Sequence, residues 1–236
     1  MRSISALILA ASLLALTGCK TDQASHESSQ MDARASTAPS QPATAAREAD
    51  TRPLVVCFGD SLTAGYGADP GQSYPDYLQK DLDAQGYRYR VVNEGVSGAT
   101  TKDGIDRVAG IAAMHAAVVV VEFGGNDGLR GLKTEITRAN LAQIIQTLQA
   151  SGTKVVLAGI SLPPDFGADY VNAFTANYPA LAKQFKTPLL PFLLKDVYGV
   201  PGMMQADRTH ATNKGNEIVA KNVLQMLSPQ LEKSRE

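Results

Sequence analysis

The sequence predicts an α/β fold, in which helices cover both faces of an open parallel β-sheet. Apolar runs of strand length alternate with segments of helical spacing between residues 54 and 227. Most of these runs lack a polar/apolar alternation, which is typical of strands buried on both faces. Strands and helices that alternate in this way form a sheet with right-handed crossovers. Ligands bind at the carboxyl ends of such strands, so a site is expected at that edge.

The predicted elements follow in chain order. Strands are predicted at residues 54–58, 87–93, 117–123, 154–159 and, as a short segment, 188–190. Helices are predicted at residues 75–85, 101–114, 132–150, 168–185 and 212–227. The apolar stripe of the third helix consists of Ile136, Leu141, Ile144, Ile145 and Leu148. Cys57 lies in the first strand, where a free thiol is expected to be a small core residue.

Composition and charge exclude several classes of protein. The chain has 236 residues, of which 44% are apolar and 19% are charged, as in an ordinary globular domain. Its 22 basic and 23 acidic residues leave a net charge of -1, which supplies no field to hold a nucleic acid. Two cysteines and three histidines suit neither a disulfide framework nor a four-ligand zinc site. Because no glycine-rich phosphate-binding motif is present either, we expect no metal and no cofactor.

The first residues resemble the export signal of a bacterial lipoprotein. Arg2 precedes an apolar stretch that is too short to span a membrane, and this stretch ends in Leu16-Thr17-Gly18-Cys19. The ending resembles a lipobox, which implies lipidation of Cys19 and a membrane anchor without a spanning helix. The alternative is a plain signal peptide with a chance cysteine. By resemblance to lipoproteins without Asp after the cysteine, Lys20 favours the cell envelope, at the periplasmic face of the outer membrane.

Three segments are therefore predicted along the chain. Residues 1–18 form the signal peptide, residues 19–51 a lipid-anchored tether, and residues 52–236 one folded domain. Between residues 20 and 50 the sequence contains no Val, Ile, Leu, Phe or Tyr. Such a segment cannot bury enough apolar surface to offset its chain entropy, so the tether is expected to be disordered.

Ser61 is a candidate nucleophile because it comes directly after the first strand. It lies in Gly59-Asp60-Ser61-Leu62-Thr63-Ala64-Gly65-Tyr66-Gly67, which is rich in residues that permit tight turns. The alternative is a helix cap, since Asp-Ser after a strand is common at helix starts. Thr63 stands where the second glycine of a Gly-x-Ser-x-Gly elbow would be, so the design of the α/β-hydrolases is absent.

Two glycine-rich loops follow the second and third strands at the same edge of the sheet. They read Asn93-Glu94-Gly95-Val96-Ser97-Gly98-Ala99-Thr100-Thr101 and Gly124-Gly125-Asn126-Asp127-Gly128. Glycines let a backbone N–H approach a ligand closely, and an asparagine side chain donates hydrogen bonds, as an oxyanion hole requires. Taken alone, both loops are ordinary turns. Their shared position with Ser61 makes them candidates for that role.

A serine nucleophile needs a base, and the three histidines differ in their fitness for this role. His26 lies in the tether, and His115 precedes the third strand, at the opposite end of the sheet from Ser61. His210 follows the last strand on the correct side, and Asp207 is close enough in sequence to reach its other ring nitrogen. The alternative for His210 is a hydrogen-bonded structural residue in a loop.

The chain resembles the SGNH hydrolases, also called GDSL lipases and esterases, in the residues that mark their four sequence blocks. These residues are here Ser61, Gly98, Asn126, and Asp207 with His210. Within that family the chain is most similar to the bacterial arylesterase and thioesterase/lysophospholipase group. The resemblance implies a flavodoxin-like three-layer sandwich with strand order 2-1-3-4-5. It implies that Ser61 is the nucleophile, His210 the base and Asp207 its orienting acid. It also implies that the oxyanion donors are the N–H groups of Ser61 and Gly98 and the side chain of Asn126.

The last block departs from the family pattern, which reads Asp-Gly-x-His-Pro. Here the segment is Asp207-Arg208-Thr209-His210-Ala211, so the spacing of acid and base is kept while the glycine and the proline are lost. If the glycine position requires a positive φ, Arg208 is strained there by about 1 kcal/mol or more, and His210 is held less firmly. Alternatively, Arg208 adds a positive charge at the rim of the cleft.

These features predict an enzyme that hydrolyses carboxylic ester or thioester bonds through an acyl-Ser61 intermediate. Aryl esters, acyl esters and lysophospholipids are the expected substrates, and the loops at residues 160–167 and 193–204 are candidate walls of the acyl pocket. Met203 and Met204 in the second loop would make that wall adaptable. The alternative for both loops is that they serve only for packing. Two alternatives remain, a carbohydrate O-deacetylase of the same fold and a surface lipoprotein that binds acyl chains with a weakened catalytic site.

Overall fold

The computed structural model describes residues 50–233. The predicted signal peptide and Cys19 lie outside these residues, and so does the tether apart from its last two positions. Residues 52–233, which belong to the predicted folded domain, share one hydrophobic core. No helix within residues 50–233 has both the length and the apolar character that a membrane crossing needs.

One parallel sheet forms the centre of the fold. Its strands are β1 (Leu54–Gly59), β2 (Arg90–Gly95), β3 (Val118–Glu122), β4 (Lys154–Ala158) and β5 (Leu189–Leu190). They pair in the order β2-β1-β3-β4-β5, and all four pairings are parallel. The predicted parallel sheet and its strand order are therefore confirmed.

Helices cover both faces of this sheet. They are α1 (Ser61–Ala64), α2 (Tyr74–Ala84), α3 (Thr101–Ala112), α4 (Gly125–Leu129), α5 (Thr134–Ala150), α6 (Ala168–Thr175), α7 (Asn177–Phe185) and α8 (Asn213–Leu227). Helix α2 packs against α8, whereas α5 packs against both α3 and α7. Because crossovers between parallel strands are right-handed, these two groups lie on opposite faces of the sheet.

The apolar runs of the central strands fill the core. The side chains of Val55–Phe58 and Val118–Val121 are fully buried, and the rings of Phe58 and Phe123 meet edge to face with centroids 4.7 Å apart. Cys57 is fully buried among them, as predicted. Burial raises the pKa of the Cys57 thiol to about 12, so this side chain is an inert apolar residue.

The prediction of one helix at residues 168–185 is wrong, because the structure has two helices that meet at Ala176. Proline lacks the N–H that a helix would direct to the carbonyl four residues earlier. Pro179 lies in the first turn of α7, so the Thr175 carbonyl receives no such hydrogen bond from it. A continuous helix is therefore interrupted after Thr175.

The second strand begins three residues later than predicted and extends further, to Gly95. Tyr87 and Tyr89 are buried but precede the strand, which is why their pattern resembled strand residues. The Tyr87 N–H instead donates to the Leu82 carbonyl and closes the end of α2. The extra length brings Gly95 against α1, where a Cβ would lie 2.1 Å from the Ala64 nitrogen.

The apolar stripe predicted for α5 is correct except at Ile136, which is 47% exposed. At 3.6 residues per turn Ile136 points about 140° away from Leu141. Thr134 and Thr137 occupy the buried face of this first turn instead. The sequence pattern therefore identified the buried face over the last three turns of the helix and missed it in the first.

Candidate active site

Ser61 lies at the carboxyl end of β1, as the first residue of α1. Asp60 caps this helix, because its Oδ1 accepts a hydrogen bond of 3.0 Å from the Leu62 N–H. The turn ends at Gly65, whose φ of 78° is left-handed. The helix-cap interpretation of Asp-Ser is thus correct for Asp60. The same turn places the Ser61 side chain on the wall of a cavity.

The loop that carries His210 is closed by hydrogen bonds across its ends. Met204 and Ala211 form an antiparallel bridge, and the Gln205 N–H donates to the His210 carbonyl over 2.8 Å. The Gln205 side chain also donates to the Tyr66 carbonyl over 2.7 Å, which ties this loop to the segment after α1. The centroids of the Tyr66 ring and the His210 imidazole lie 4.7 Å apart, so Tyr66 covers His210 on one side.

The structure brings Ser61, His210 and Asp207 into hydrogen-bond contact. Ser61 Oγ lies 2.8 Å from His210 Nε2, and His210 Nδ1 lies 2.7 Å from Asp207 Oδ2. Asp207 Oδ1 accepts from the backbone N–H groups of Thr209 and His210 at 2.9 and 3.0 Å. Partial burial raises the pKa of Asp207, but these hydrogen bonds outweigh it and lower the pKa to about 2. A fixed carboxylate therefore faces one ring nitrogen while the other faces the serine.

Arg208 has the positive φ that the family glycine suggested. Its φ is 57°, which costs a residue with a Cβ roughly 1–2 kcal/mol. Its N–H donates to the Gln205 carbonyl over 3.0 Å and so closes the turn before His210. The expected strain is thus present in the backbone, yet the contacts of His210 are within hydrogen-bond range. The side chain of Arg208 lines the cavity, at its rim.

Asn126 lies in α4, beside Ser61. Its Nδ2 donates to Asp60 Oδ2 over 3.1 Å and to the Ala99 carbonyl over 3.0 Å. Gly98 directly precedes Ala99, has a φ of 81° and donates no backbone hydrogen bond within residues 50–233. Ser61 and Asn126 line the cavity, whereas Gly98 does not. The structure thus brings two of the three predicted oxyanion donors, Ser61 and Asn126, to the cavity wall. Gly98 is not on that wall and precedes Ala99, whose carbonyl accepts the hydrogen bond from Asn126.

A cavity of about 360 Å³ opens beside Ser61. Its apolar wall consists of Leu62, Leu129, Ile160, Leu162, Pro163, Phe192, Leu194 and Tyr198. Both candidate loops contribute, although the first does so only up to Pro163. Met203 and Met204 do not line the cavity, and the packing alternative holds for them, because Met204 is held in the bridge to Ala211 and both pack against the core. Such a cavity has the size and lining of a small-molecule site.

Two features of the site were missed at the level of the sequence. Phe192 lines the cavity from the segment after β5, and nothing in the local pattern indicates this. Glu122 ends β3 and is fully buried beneath the site, next to Asp60. An acidic residue inside an apolar run is rare in a buried strand unless it is paired, so the sequence did contain a signal for Glu122.

A Ser-His-Asp chain at the carboxyl ends of a parallel sheet, next to an apolar cavity, defines the class of serine hydrolases with an α/β fold. Within residues 50–233 no group of three or more His, Cys, Asp and Glu side chains is placed to hold a metal ion.

The chain belongs to the GDSL-like Lipase/Acylhydrolase family, whose family model matches residues 57–218. Esterase TesA of Pseudomonas aeruginosa is 44% identical over 186 residues, which cover 78% of this chain and 92% of that protein. Thioesterase 1/protease 1/lysophospholipase L1 of Escherichia coli strain K12 is 38% identical over 185 residues, which cover 78% and 86%. A crystal structure of TesA matches with a TM-score of 0.73 over 75% of this chain and 99% of that one. The family resemblance is therefore confirmed.

Proposed function

We propose that this protein is a serine esterase and thioesterase that works through an acyl-Ser61 intermediate. The observation that carries the proposal is the 2.8 Å contact between Ser61 Oγ and His210 Nε2, with Asp207 on the other ring nitrogen. A serine hydroxyl is a weak nucleophile on its own and becomes effective when a base takes its proton. The names of the relatives, an esterase and a thioesterase/lysophospholipase, support the same reaction class.

In the first half-reaction Ser61 Oγ attacks the carbonyl carbon while its proton passes to His210 Nε2. Asp207 stabilises the imidazolium that forms, since its carboxylate remains ionised at neutral pH. The negative oxygen of the tetrahedral intermediate is stabilised by the N–H groups of Ser61 and Gly98 and by the Asn126 amide. Collapse of the intermediate releases the alcohol or thiol, which takes the proton from His210. Water then repeats the sequence on the acyl-enzyme and releases the carboxylic acid.

The substrates we propose are aryl and acyl esters, including lysophospholipids, and acyl thioesters. The apolar lining of the cavity favours an acyl chain over a sugar, because a sugar hydroxyl would leave its hydrogen bonds unmade there. This argues against an O-deacetylase. The contact between Ser61 and His210 argues against a protein that only binds acyl chains.

We further propose that residues 1–18 direct export and that Cys19 is lipidated, so that the domain works at the periplasmic face of the outer membrane. The support is the lipobox-like Leu16-Thr17-Gly18-Cys19 and the polar composition of the tether. A lipid anchor would hold the enzyme close to lipid esters without a spanning helix. Incorporation of labelled palmitate into the full chain, and its loss in Cys19→Ser, would test this proposal.

Hydrolysis of p-nitrophenyl esters from acetyl to long acyl chains, and of acyl thioesters, tests the enzymatic proposal on the full chain. We expect turnover on esters and thioesters that Ser61→Ala abolishes. A preference for acetyl over longer chains would favour the deacetylase. Absence of turnover on substrates of every acyl-chain length, in a folded protein, would favour the lipoprotein that only binds acyl chains.

A further inference from the structure

Glu122 is an acidic residue whose burial the proposed reaction does not explain. It is the last residue of β3 and is fully buried. Its Oε2 accepts hydrogen bonds from Thr63 Oγ1 over 2.9 Å and from the Asp60 N–H over 3.3 Å. Its Oε1 is buried and accepts no hydrogen bond from any donor within residues 50–233. An ionised carboxylate in this position would leave charge on an oxygen without a partner, which is costly.

Asp60 provides a second buried carboxyl group beside Glu122 and is only 2% exposed. No Lys, Arg or His forms an ion pair with Asp60 or Glu122 within the described chain. Two neighbouring carboxylates that are shielded from water cannot both stay ionised without a cation. One proton must therefore be held by the pair at neutral pH.

The hydrogen bonds decide which of the two groups holds the proton. Asp60 Oδ1 accepts from the Leu62 N–H at the start of α1, and its Oδ2 accepts from Asn126, so two donors favour its ionised form. Glu122 has a hydroxyl and one long backbone contact. Burial, and then the charge of Asp60, raise the pKa of Glu122 well above its usual range. Burial also raises the pKa of Asp60, while the Leu62 N–H opposes this rise.

One glycine lies next to each carboxyl group of the pair, and only the glycine next to Glu122 is required for steric reasons. A Cβ on Gly59 would lie 2.6 Å from Glu122 Oε2 and 2.1 Å from Thr63 Oγ1, so only glycine fits there. A Cβ on Gly125 would lie 3.5 Å from Asp60 Oδ2, at ordinary contact distance. The glycine before the Asp-Ser of the nucleophile segment is thus required by Thr63 Oγ1 together with the backbone and carboxyl oxygens of Glu122.

We propose that protonated Glu122 and ionised Asp60 form one positioning unit for Asn126, in which the single negative charge on Asp60 fixes the amide of Asn126 with its Nδ2 at the oxyanion site. This inference rests on the proposed function, because it assumes that Asn126 serves as an oxyanion donor. Glu122 is a positioning residue and touches no substrate atom.

The orientation of the Asn126 amide follows from its two acceptors. The hydrogens of Nδ2 point to Asp60 Oδ2 and to the Ala99 carbonyl. An amide rotated by half a turn would direct its oxygen at both acceptors, so the pair selects the donor orientation. An oxyanion at Ser61 shares one of these hydrogens. A second negative charge, on Glu122, would strengthen the hold of Asp60 on that hydrogen and would also repel the oxyanion.

Other titratable groups face the pair from several elements, and a pH experiment must take them into account. Tyr74 from α2 and Tyr178 from α7 face Glu122, His210 faces Asp60, and Cys57 from β1 and Asp127 from α4 lie next to the two tyrosines. Burial raises the pKa of Cys57 to about 12 and the pKa values of Tyr74 and Tyr178 well above the usual tyrosine range. These three groups therefore remain neutral up to about pH 10. His210 faces Asp60 rather than Glu122.

The test compares kcat and KM of the full chain across pH 5 to 10 for wild type, Glu122→Gln, Glu122→Leu and the exposed control Glu135→Gln. Protonated Glu122 donates a hydrogen bond to the Asp60 carboxylate, and glutamine keeps a neutral donor there. We therefore expect kcat of Glu122→Gln at neutral pH within about threefold of wild type, without the fall at alkaline pH that ionisation of Glu122 should cause in wild type. Leucine removes the donor, and we expect kcat to drop by about tenfold or more with KM little changed. An alkaline fall that persists in Glu122→Gln, or an unchanged kcat in Glu122→Leu, would overturn the proposal.

A second measurement does not depend on activity and separates this inference from the proposed function. The native state holds a proton on Glu122 that the unfolded state releases above pH 4.5, so wild-type stability falls as pH rises from there. In the inactive Ser61→Ala background, the stability of Glu122→Gln relative to its parent should therefore increase from pH 5 to pH 8 in urea unfolding. A difference that is independent of pH refutes the protonated Glu122, even if the enzyme proves to be a hydrolase.

Discussion

Replacing Asp207 by asparagine tests the orientation of His210 with the smallest change in shape. Asp207 Oδ1 accepts from two backbone N–H groups, those of Thr209 and His210. In Asp207→Asn the amide oxygen must keep this position, because an amide NH₂ there would face two donors. The NH₂ then faces His210 Nδ1 and makes that nitrogen an acceptor. The proton of the neutral imidazole moves to Nε2, which can no longer accept the proton of Ser61.

Two contributions set the size of the effect. Loss of the charge-assisted bond to the imidazolium costs about 1.5–3 kcal/mol, or roughly 10- to 150-fold in rate. The wrong tautomer adds to this, and the same exchange in a buried triad costs about 10⁴-fold. The Asp207 side chain is 41% exposed, so water relieves part of the penalty. We expect kcat to fall by about 10³-fold, with KM changed by less than about threefold.

Steady-state hydrolysis of one p-nitrophenyl ester by wild type, Asp207→Asn and Asp207→Ala would measure this. In the alanine variant nothing forces the wrong tautomer, so it should be more active than the asparagine variant despite the larger deletion. Equal rates for wild type and Asp207→Asn, or an asparagine variant that exceeds the alanine variant, would refute the reasoning about the tautomer. Circular dichroism would show that both variants are folded.

Two further substitutions address the oxyanion site and the strained loop. Asn126→Ala removes the donor to the oxyanion, so kcat should fall by about 10²-fold or more at similar KM, and a loss of less than about fivefold would exclude this role. Arg208→Gly relieves a left-handed backbone worth roughly 1–2 kcal/mol but adds about 0.4–1 kcal/mol of unfolded-state entropy. The thermal midpoint of Arg208→Gly should therefore rise by about 1–2 °C, and its turnover should increase. Arg208→Lys keeps the side chain with a Cβ and should change neither quantity. A lower midpoint for the glycine variant would contradict the strain at this position.

The strand order and most helices were predictable because the central strands are buried on both faces. Runs such as Val118–Val121 carry that information locally. The errors arose where burial depends on distant packing. Tyr87 and Tyr89 are buried without belonging to a strand, and Ile136 is apolar but lies on the solvent side of its helix.

The site was predictable to a different extent at each position. Ser61 was identified from its place after a strand, and His210 because the other histidines lie elsewhere. The loop around Asn126 was a candidate for the oxyanion hole because of its glycines and its shared position with Ser61, and the family resemblance assigned the donor role to the Asn126 side chain. The place of Glu122 beneath Asp60 depends on the pairing of β1 with β3, where Gly59 is opposite Glu122, and no local pattern reveals that pairing. Met203 and Met204 were misplaced for a similar reason, since the bridge to Ala211 turns that segment toward the core.

Covalent labelling of the nucleophile tests the central claim most directly. The full chain would be treated with an activated alkyl phosphonate ester at neutral pH, digested and analysed by mass spectrometry, with Ser61→Ala and His210→Ala as controls. The account predicts one adduct, on Ser61, that is absent in Ser61→Ala and formed much more slowly in His210→Ala. An active enzyme that carries the adduct on another residue, or that labels equally fast without His210, would contradict it.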